Sequence, residues 1–326
     1  MARNWIRWVS VILVFVMLIM NVSVAYAINP EAIKEKTTSK IYDSALPARF
    51  YKECRQKGTV ESMHYSVNIW GEDYDRSAVI YLPYGYNEAD KATRYNLMIM
   101  LHGNSETAND WVDEIITQND YTLHFTNLYD NMIASKVCDP FILVSLETCV
   151  EWYGWNWSEV SYEQLGYELR EIVLPYLAEH YNTYAKDGSL ESLQAARSHF
   201  GIGGNSWGSQ MALNSGLLMN YDLFGNYLCM SANDCEYKAR KVIHDEENAN
   251  LTPVCFYTAA GTYDNMRDNT CQCYYKVIYK QAVLQDGVNA FYHETRGGHE
   301  WKVWATEFFN AMHYMFKENK PPVTRS

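Results

Sequence analysis

The 326-residue chain has no internal repeat, no Gly/Ser-rich or Pro/Thr-rich linker and no low-complexity tract. These absences argue against a tethered array of modules. Residues 28–326 are expected to form one domain, with 28–58 a leader segment packing on its edge. The sequence also lacks a pair of CxxC motifs and any HExxH. No metal site is expected from that, and no organic cofactor. Positive charge is scarce, with 27 Lys and Arg against 39 Asp and Glu and a formal net charge of −12. An acidic surface suits neither nucleic acid nor an anionic membrane as a partner. A neutral polymer such as a polysaccharide is compatible with it. Aromatic residues are not scarce: 27 tyrosines and 10 tryptophans exceed what a core needs, so some are expected to face a ligand.

At the N-terminus Arg3 and Arg7 precede an apolar run from Val9 to Met20, and Ala25-Tyr26-Ala27 places small residues at a cleavage site. This is the layout of a secretory signal peptide, too short for a comfortable membrane span. The expectation is cleavage after Ala27, secretion, and no stable membrane association. Loss of the two arginines takes the formal charge from −12 to −14. Export permits disulfides among cysteines 54, 138, 149, 229, 235, 255, 271 and 273. Cys229 and Cys235 are a plausible local pair. Cys255, inside an apolar strand pattern, is expected to be a buried thiol.

Beyond residue 58, strands and helices alternate. Apolar runs predict strands at 77–83, 96–103, 141–147, 199–204, 253–261 and 289–298. A helix is expected over 162–177, with Leu165, Leu169, Ile172 and Val173 on one face and Pro175 kinking or ending it. Further helices are expected after Ser206, over 273–287 with Gly287 at the end, and over 300–316. Continuous apolar strands separated by helices predict an α/β fold, a mainly parallel central sheet flanked by helices on both faces. In such sheets function gathers at the carboxyl ends of the strands. Ser206, Asp264 and His299 each follow a predicted strand at that end.

The segment Gly204-Asn205-Ser206-Trp207-Gly208 fits Gly-x-Ser-x-Gly in a strand–turn–helix setting. A serine is a poor nucleophile alone; it needs a base, a group to orient the base, and donors for an oxyanion. The glycines permit a sharp turn that lifts the hydroxyl above the sheet. Asp264, in "AGTYDN", and His299, in "RGGHEW", follow later strands in the order Ser…Asp…His. Asp264 would fix the imidazole tautomer, and His299 would take the serine proton and return it to the leaving alcohol. Asp268 is the alternative acid, farther from its strand end. The oxyanion donors would be the backbone N–H groups of Trp207 and of Asn104, in the "LHGN" turn that follows the 96–103 strand. His102 is placed to shape that turn.

The segments "YLPYGYN", "LMIMLHGN", "NDW", "GGNSWGS", "YDLFGNYLCMS", "AGTYD" and "GGHEWKVW" together resemble the feruloyl-esterase and acetylxylan-esterase, esterase D-like, branch of the α/β-hydrolases. The resemblance covers most of the chain after Gly58. It implies the α/β-hydrolase fold, with Ser206, Asp264 and His299 as catalytic residues and Asn104 and Trp207 as oxyanion donors. Trp207 stands where the family usually has methionine, Asn104 where it often has a second glycine, and Ser209 where it has another. These departures bear on acyl specificity rather than reaction class.

Trp152, Trp155 and Trp157 crowd one short segment, which is either an alternating half-buried strand or an aromatic wall for a phenolic acyl group or a sugar ring. Trp111 would join that wall. The expected activity is that of a secreted serine esterase removing feruloyl or acetyl groups from plant cell-wall xylan. The alternatives are an esterase or acyltransferase on other small esters, and an inactive hydrolase-fold protein that binds carbohydrate.

Overall fold

Leu97, Ile99 and Leu101 pack into one apolar cluster, while Met98 and Met100 between them pack into another. A strand buried on both sides must lie inside a sheet that is covered on both faces. The computed structural model describes residues 46–69, 71–118, 121–148, 159–232, 236–278 and 283–317. The expected signal peptide and most of the leader fall outside these residues. Among those described, the strands are β1 (Thr59–Ile69), β2 (Glu72–Leu82), β3 (Asn96–Leu101), β4 (Ile115–Gln118), β5 (Tyr121–His124), β6 (Phe141–Leu146), β7 (Phe200–Asn205), β8 (Asn226–Met230), β9 (Cys255–Gly261) and β10 (Ala290–Thr295).

Eight of these form one sheet in the order β1-β2-β6-β3-β7-β8-β9-β10, and β4 pairs with β5 apart from it. From β6 to β10 every neighbouring pair is parallel, while β2 runs antiparallel to β6 and β1 antiparallel to β2. This is the α/β-hydrolase architecture. On one face lie the helices that bury Leu169, Leu177, Met211, Ile243 and Tyr274. On the other face the helices Phe125–Ala134 and Trp301–Ala311 bury Leu128, Phe308 and Phe309. Phe50, from the short turn Ala48–Tyr51, packs on Phe309 at 5.1 Å between ring centroids.

Several details differ from the sequence expectation. Pro175 does not end its helix. A helix Glu159–Glu168 continues through a wide π turn, Leu169–Val173, into Leu174–His180. Pro175, which has no N–H to donate, stands just after that π turn, where the regular α-helical ladder is already interrupted. The helix expected over 273–287 begins earlier, at Arg267, and is described to Ile278. Gly287 belongs instead to the turn that enters β10, at φ +70°. Cys255 is the buried free thiol its strand pattern predicted. Cys229 is also a buried free thiol on β8 rather than half of a disulfide; Cys235 lies outside the described residues. Among the described residues no helix is long and apolar enough to cross a membrane.

Six parallel strands bring six carboxyl ends to one edge. The segments leaving that edge begin at His102, Glu147, Ser206, Ser231, Thr262 and Arg296. Residues far apart in sequence meet there because the strand register aligns their exits.

Candidate active site

Ser206 sits between β7 and the helix Trp207–Met211 with φ 51° and ψ −118°. A non-glycine residue in that region stores about 1–3 kcal/mol of strain and persists only when its surroundings hold it. Two backbone bonds do so: the Ser206 N–H donates to the Met230 carbonyl at 2.9 Å, and the Gln210 N–H donates to the Ser206 carbonyl at 3.2 Å. The flanking glycines have a steric cause. A Cβ on Gly204 would run into the Leu101 carbonyl and the Gly208 backbone, and one on Gly208 would strike the carbonyls of Leu101 and His102. Gly208→Ala is therefore expected to destabilise by more than the ~1–3 kcal/mol of ordinary overpacking, because the obstacle is backbone. Urea denaturation reads this; an unchanged midpoint would contradict it.

His299 and Asp264 meet through a second close approach. A Cβ on Gly261, the last residue of β9, would collide with the carbonyls of Gly297 and Gly298. Without it the two loops lie together, tied by Thr262 N–H to the Thr295 carbonyl at 2.9 Å and Tyr263 N–H to the Gly297 carbonyl at 2.8 Å. His299 Nδ1 then lies 2.9 Å from Asp264 Oδ1. Asp264 Oδ1 also accepts the Met266 N–H at 2.7 Å, and Oδ2 accepts the Ser231 hydroxyl at 2.5 Å. Burial works to raise the Asp264 carboxyl, but the bonds from His299, Ser231 and the Met266 N–H outweigh it and hold the group below the ordinary aspartate value. The His299 side chain is 32% exposed while that of Asp264 is shielded, so the imidazole reaches solvent with the carboxylate behind it. No hydrogen bond joins the Ser206 hydroxyl to His299; such contacts often tighten only with substrate in place.

The turn after β3 is braced by two carboxylates. Glu106 accepts the Gly103 N–H at 2.6 Å and the Asn205 amide at 2.9 Å. Glu147 accepts the Ala108 N–H at 3.0 Å and lies 3.1 Å from His102 Nε2. His102 Nδ1 contacts the Gly103 carbonyl at 2.8 Å, so this histidine shapes the turn as the sequence suggested. Burial works to raise the Glu147 carboxyl, but its bonds to His102 and the Ala108 N–H prevail and lower it. The Gly103 N–H is committed to Glu106, which leaves Asn104, exposed at the tip of the turn, as the next available donor.

One tryptophan departs from the expected wall. Trp111 is fully buried and no part of a ligand face. Its indole N–H donates to Asn205 Oδ1 at 3.0 Å, and its ring packs on Phe125 at 4.7 Å and Trp301 at 5.1 Å. Its length suits the core beneath the serine strand, where it fixes the residue before Ser206. The Trp207 indole is also largely buried, 5.4 Å from the Tyr162 ring. Trp152, Trp155 and Trp157 lie outside the described residues. Asp268 has a 64% exposed side chain near Arg267 Nη1, so it is not the acid partner of His299. Two residues of the site were given no role from the sequence, although each ends a segment that carries the resemblance: Ser231, after β8, and Trp304, whose indole N–H donates to the Ser231 hydroxyl at 2.9 Å. A third, Tyr263, stands 76% exposed directly before Asp264. Among the described residues no cluster of three or more His, Cys, Asp or Glu side chains is arranged to hold a metal ion.

Comparison with known proteins agrees with this fold. The feruloyl esterase module from Clostridium thermocellum, solved as a serine-to-alanine mutant complexed with sinapinate, superposes with a TM-score of 0.70 at 20% identity, covering 85% of this chain and 96% of that one. A ferulic acid esterase from the anaerobic fungus Anaeromyces mucronatus superposes with a TM-score of 0.61 at 17% identity, covering 85% and 98%. In sequence, 172 residues are 30% identical to endo-1,4-beta-xylanase Y of Acetivibrio thermocellus; they make up 51% of this chain and only 14% of that protein. The family model described as "Putative esterase" matches residues 73–315, from β2 through the C-terminal helix. The chain belongs to this esterase family.

Proposed function

We propose that the protein is a secreted serine esterase that removes feruloyl, or acetyl, groups from plant cell-wall xylan. The observation that carries the reading is the Asp264–His299 bond at 2.9 Å, held at the same sheet edge as a serine strained to φ 51°. In this mechanism the Ser206 Oγ attacks the ester carbonyl carbon and its proton passes to His299 Nε2. The carbonyl oxygen becomes an oxyanion and accepts hydrogen bonds from the N–H groups of Asn104 and Trp207, each contributing about 3–4 kcal/mol. His299 then protonates the departing sugar hydroxyl, leaving an acyl group on Ser206. Water, deprotonated by the same imidazole, releases the acid and restores the serine. Asp264 remains ionised throughout and holds the Nδ1 proton.

The substrate class rests on three supports. Two structural relatives are described as feruloyl or ferulic acid esterases, and one is complexed with sinapinate. The sequence relative is described as a xylanase. The net charge of −12 suits a neutral polymer. Tyr263 supplies an exposed ring beside the dyad for an acyl or sugar contact.

A turnover panel of feruloyl, acetyl and nitrophenyl esters on the mature protein tests the reading. Ferulate release is expected, with a raised KM in Tyr263→Ala. Acetate release without ferulate would reassign the acyl group. No turnover of any of the three would overturn the esterase reading and favour a carbohydrate-binding role.

A further inference from the structure

Ser231 occupies a backbone conformation that its residue type disfavours. Its φ is 55°, in the left-handed region where glycine is at ease and a residue with a Cβ is strained. Ser231 is buried, directly after β8, and its N–H donates to the Ala259 carbonyl at 2.7 Å. Backbone geometry alone would favour glycine there, so the side chain must be what requires a serine.

The hydroxyl stands between two partners, Trp304 Nε1 at 2.9 Å and Asp264 Oδ2 at 2.5 Å. An indole nitrogen can only donate, so the hydroxyl oxygen must accept from Trp304. Its single proton is thereby directed at the Asp264 carboxylate. That bond fixes the plane of the carboxylate, and Oδ1 is aimed at His299 Nδ1. Trp304 also stands perpendicular to the His299 ring, with centroids 5.0 Å apart. Ser231, Trp304 and Asp264 are all buried, and hydrogen bonds in such surroundings strengthen one another.

We infer that Ser231, with its proton set by Trp304, is a positioning residue that orients Asp264 and through it the imidazole of His299. Neither side chain touches the substrate in this arrangement. Their contribution is to hold one rotamer of the acid, and the positive φ of Ser231 is retained because no glycine could do so. The inference rests on the serine-esterase reading of the site.

The experiment compares three variants of the mature protein, Ser231→Gly, Ser231→Ala and Ser206→Ala, on a feruloyl or nitrophenyl ester. Glycine removes the hydroxyl and also relieves the backbone. The expected result for Ser231→Gly is a Tm above that of Ser231→Ala, since the relieved backbone offsets part of the cost of the unpaired Trp304 indole N–H, with KM within about twofold and kcat lower by about 10- to 100-fold, as small misplacements of catalytic groups produce. Ser231→Ala loses the same hydroxyl while keeping the strain, and is expected to match that kcat with a lower Tm than the glycine variant. Parental kcat in Ser231→Gly would overturn the inference, as would a kcat that falls only in step with Tm. If Ser206→Ala is inactive and Ser231→Gly fully active, the positioning role alone fails. If Ser206→Ala keeps its turnover, the reading of the site fails and the role of Ser231 fails with it.

Discussion

Ser206→Ala is expected to lower kcat by about 10⁵- to 10⁶-fold, the scale on which a serine hydrolase loses its nucleophile. The parallel expectation is an almost unchanged Tm. Alanine keeps the Cβ, so it keeps the strain at φ 51°, and the bonds that hold the turn are backbone bonds to Met230 and Gln210. Neither depends on the hydroxyl. The large loss in rate with little loss in stability separates a nucleophile from a serine that merely fits a tight turn. Residual turnover above the uncatalysed rate would come from the N–H donors and from substrate binding. The measurement is kcat on a feruloyl ester beside a thermal melt. A variant retaining more than about a hundredth of parental kcat would place the nucleophile elsewhere, since no group nearby could substitute for the alkoxide at that rate.

Much of the fold was legible because the parallel strands are written as unbroken apolar runs. β3, β6, β7, β9 and β10 lie within a few residues of where the sequence placed them. Strand β8 was not foreseen. Its five residues follow directly on a turn, and so short a run does not separate itself from the apolar residues around it. β1 was missed for another reason: it is an edge strand with polar residues at most positions, and over Thr59–Asn68 the buried residues are Met63 and Val67. Ser206, Asp264 and His299 could be singled out as candidates because each follows a strand and each has glycines nearby. Those glycines are traceable to carbonyl collisions at Gly204, Gly208 and Gly261. Trp111 was misread because sequence counts rings without saying which side of a sheet they occupy. Trp111, Trp301 and Trp304 form a row beneath the site, 5.1 and 5.2 Å apart. One end of the row bonds Asn205 beside Ser206, and the other bonds Ser231 behind Asp264. No spacing rule joins residues 111, 205, 231 and 304; only the fold does.

Asp264→Asn is expected to lower kcat on the order of 10⁴-fold, and the hydrogen bonds around the position explain why. The carboxylate accepts on both oxygens: Ser231 donates to one, and His299 and the Met266 N–H donate to the other. An amide has only one accepting atom. If its oxygen faces Ser231, its NH₂ confronts the Met266 N–H and donates to His299 Nδ1. The imidazole proton is then driven to Nε2, where the ring can no longer take the proton of Ser206. If the amide turns over, its oxygen keeps His299 and Met266, but the NH₂ faces a hydroxyl whose proton Trp304 has directed toward it. One orientation gives the wrong tautomer and the other breaks the support of the acid. Asp268→Asn is the control. Its side chain is 64% exposed and its partner is Arg267, so kcat should remain within about twofold, as exposed ion pairs contribute little. The measurement is kcat for both variants at the parent's optimum, with the His299 tautomer read by nitrogen NMR. A large loss in Asp268→Asn with little loss in Asp264→Asn would reverse the assignment of the acid.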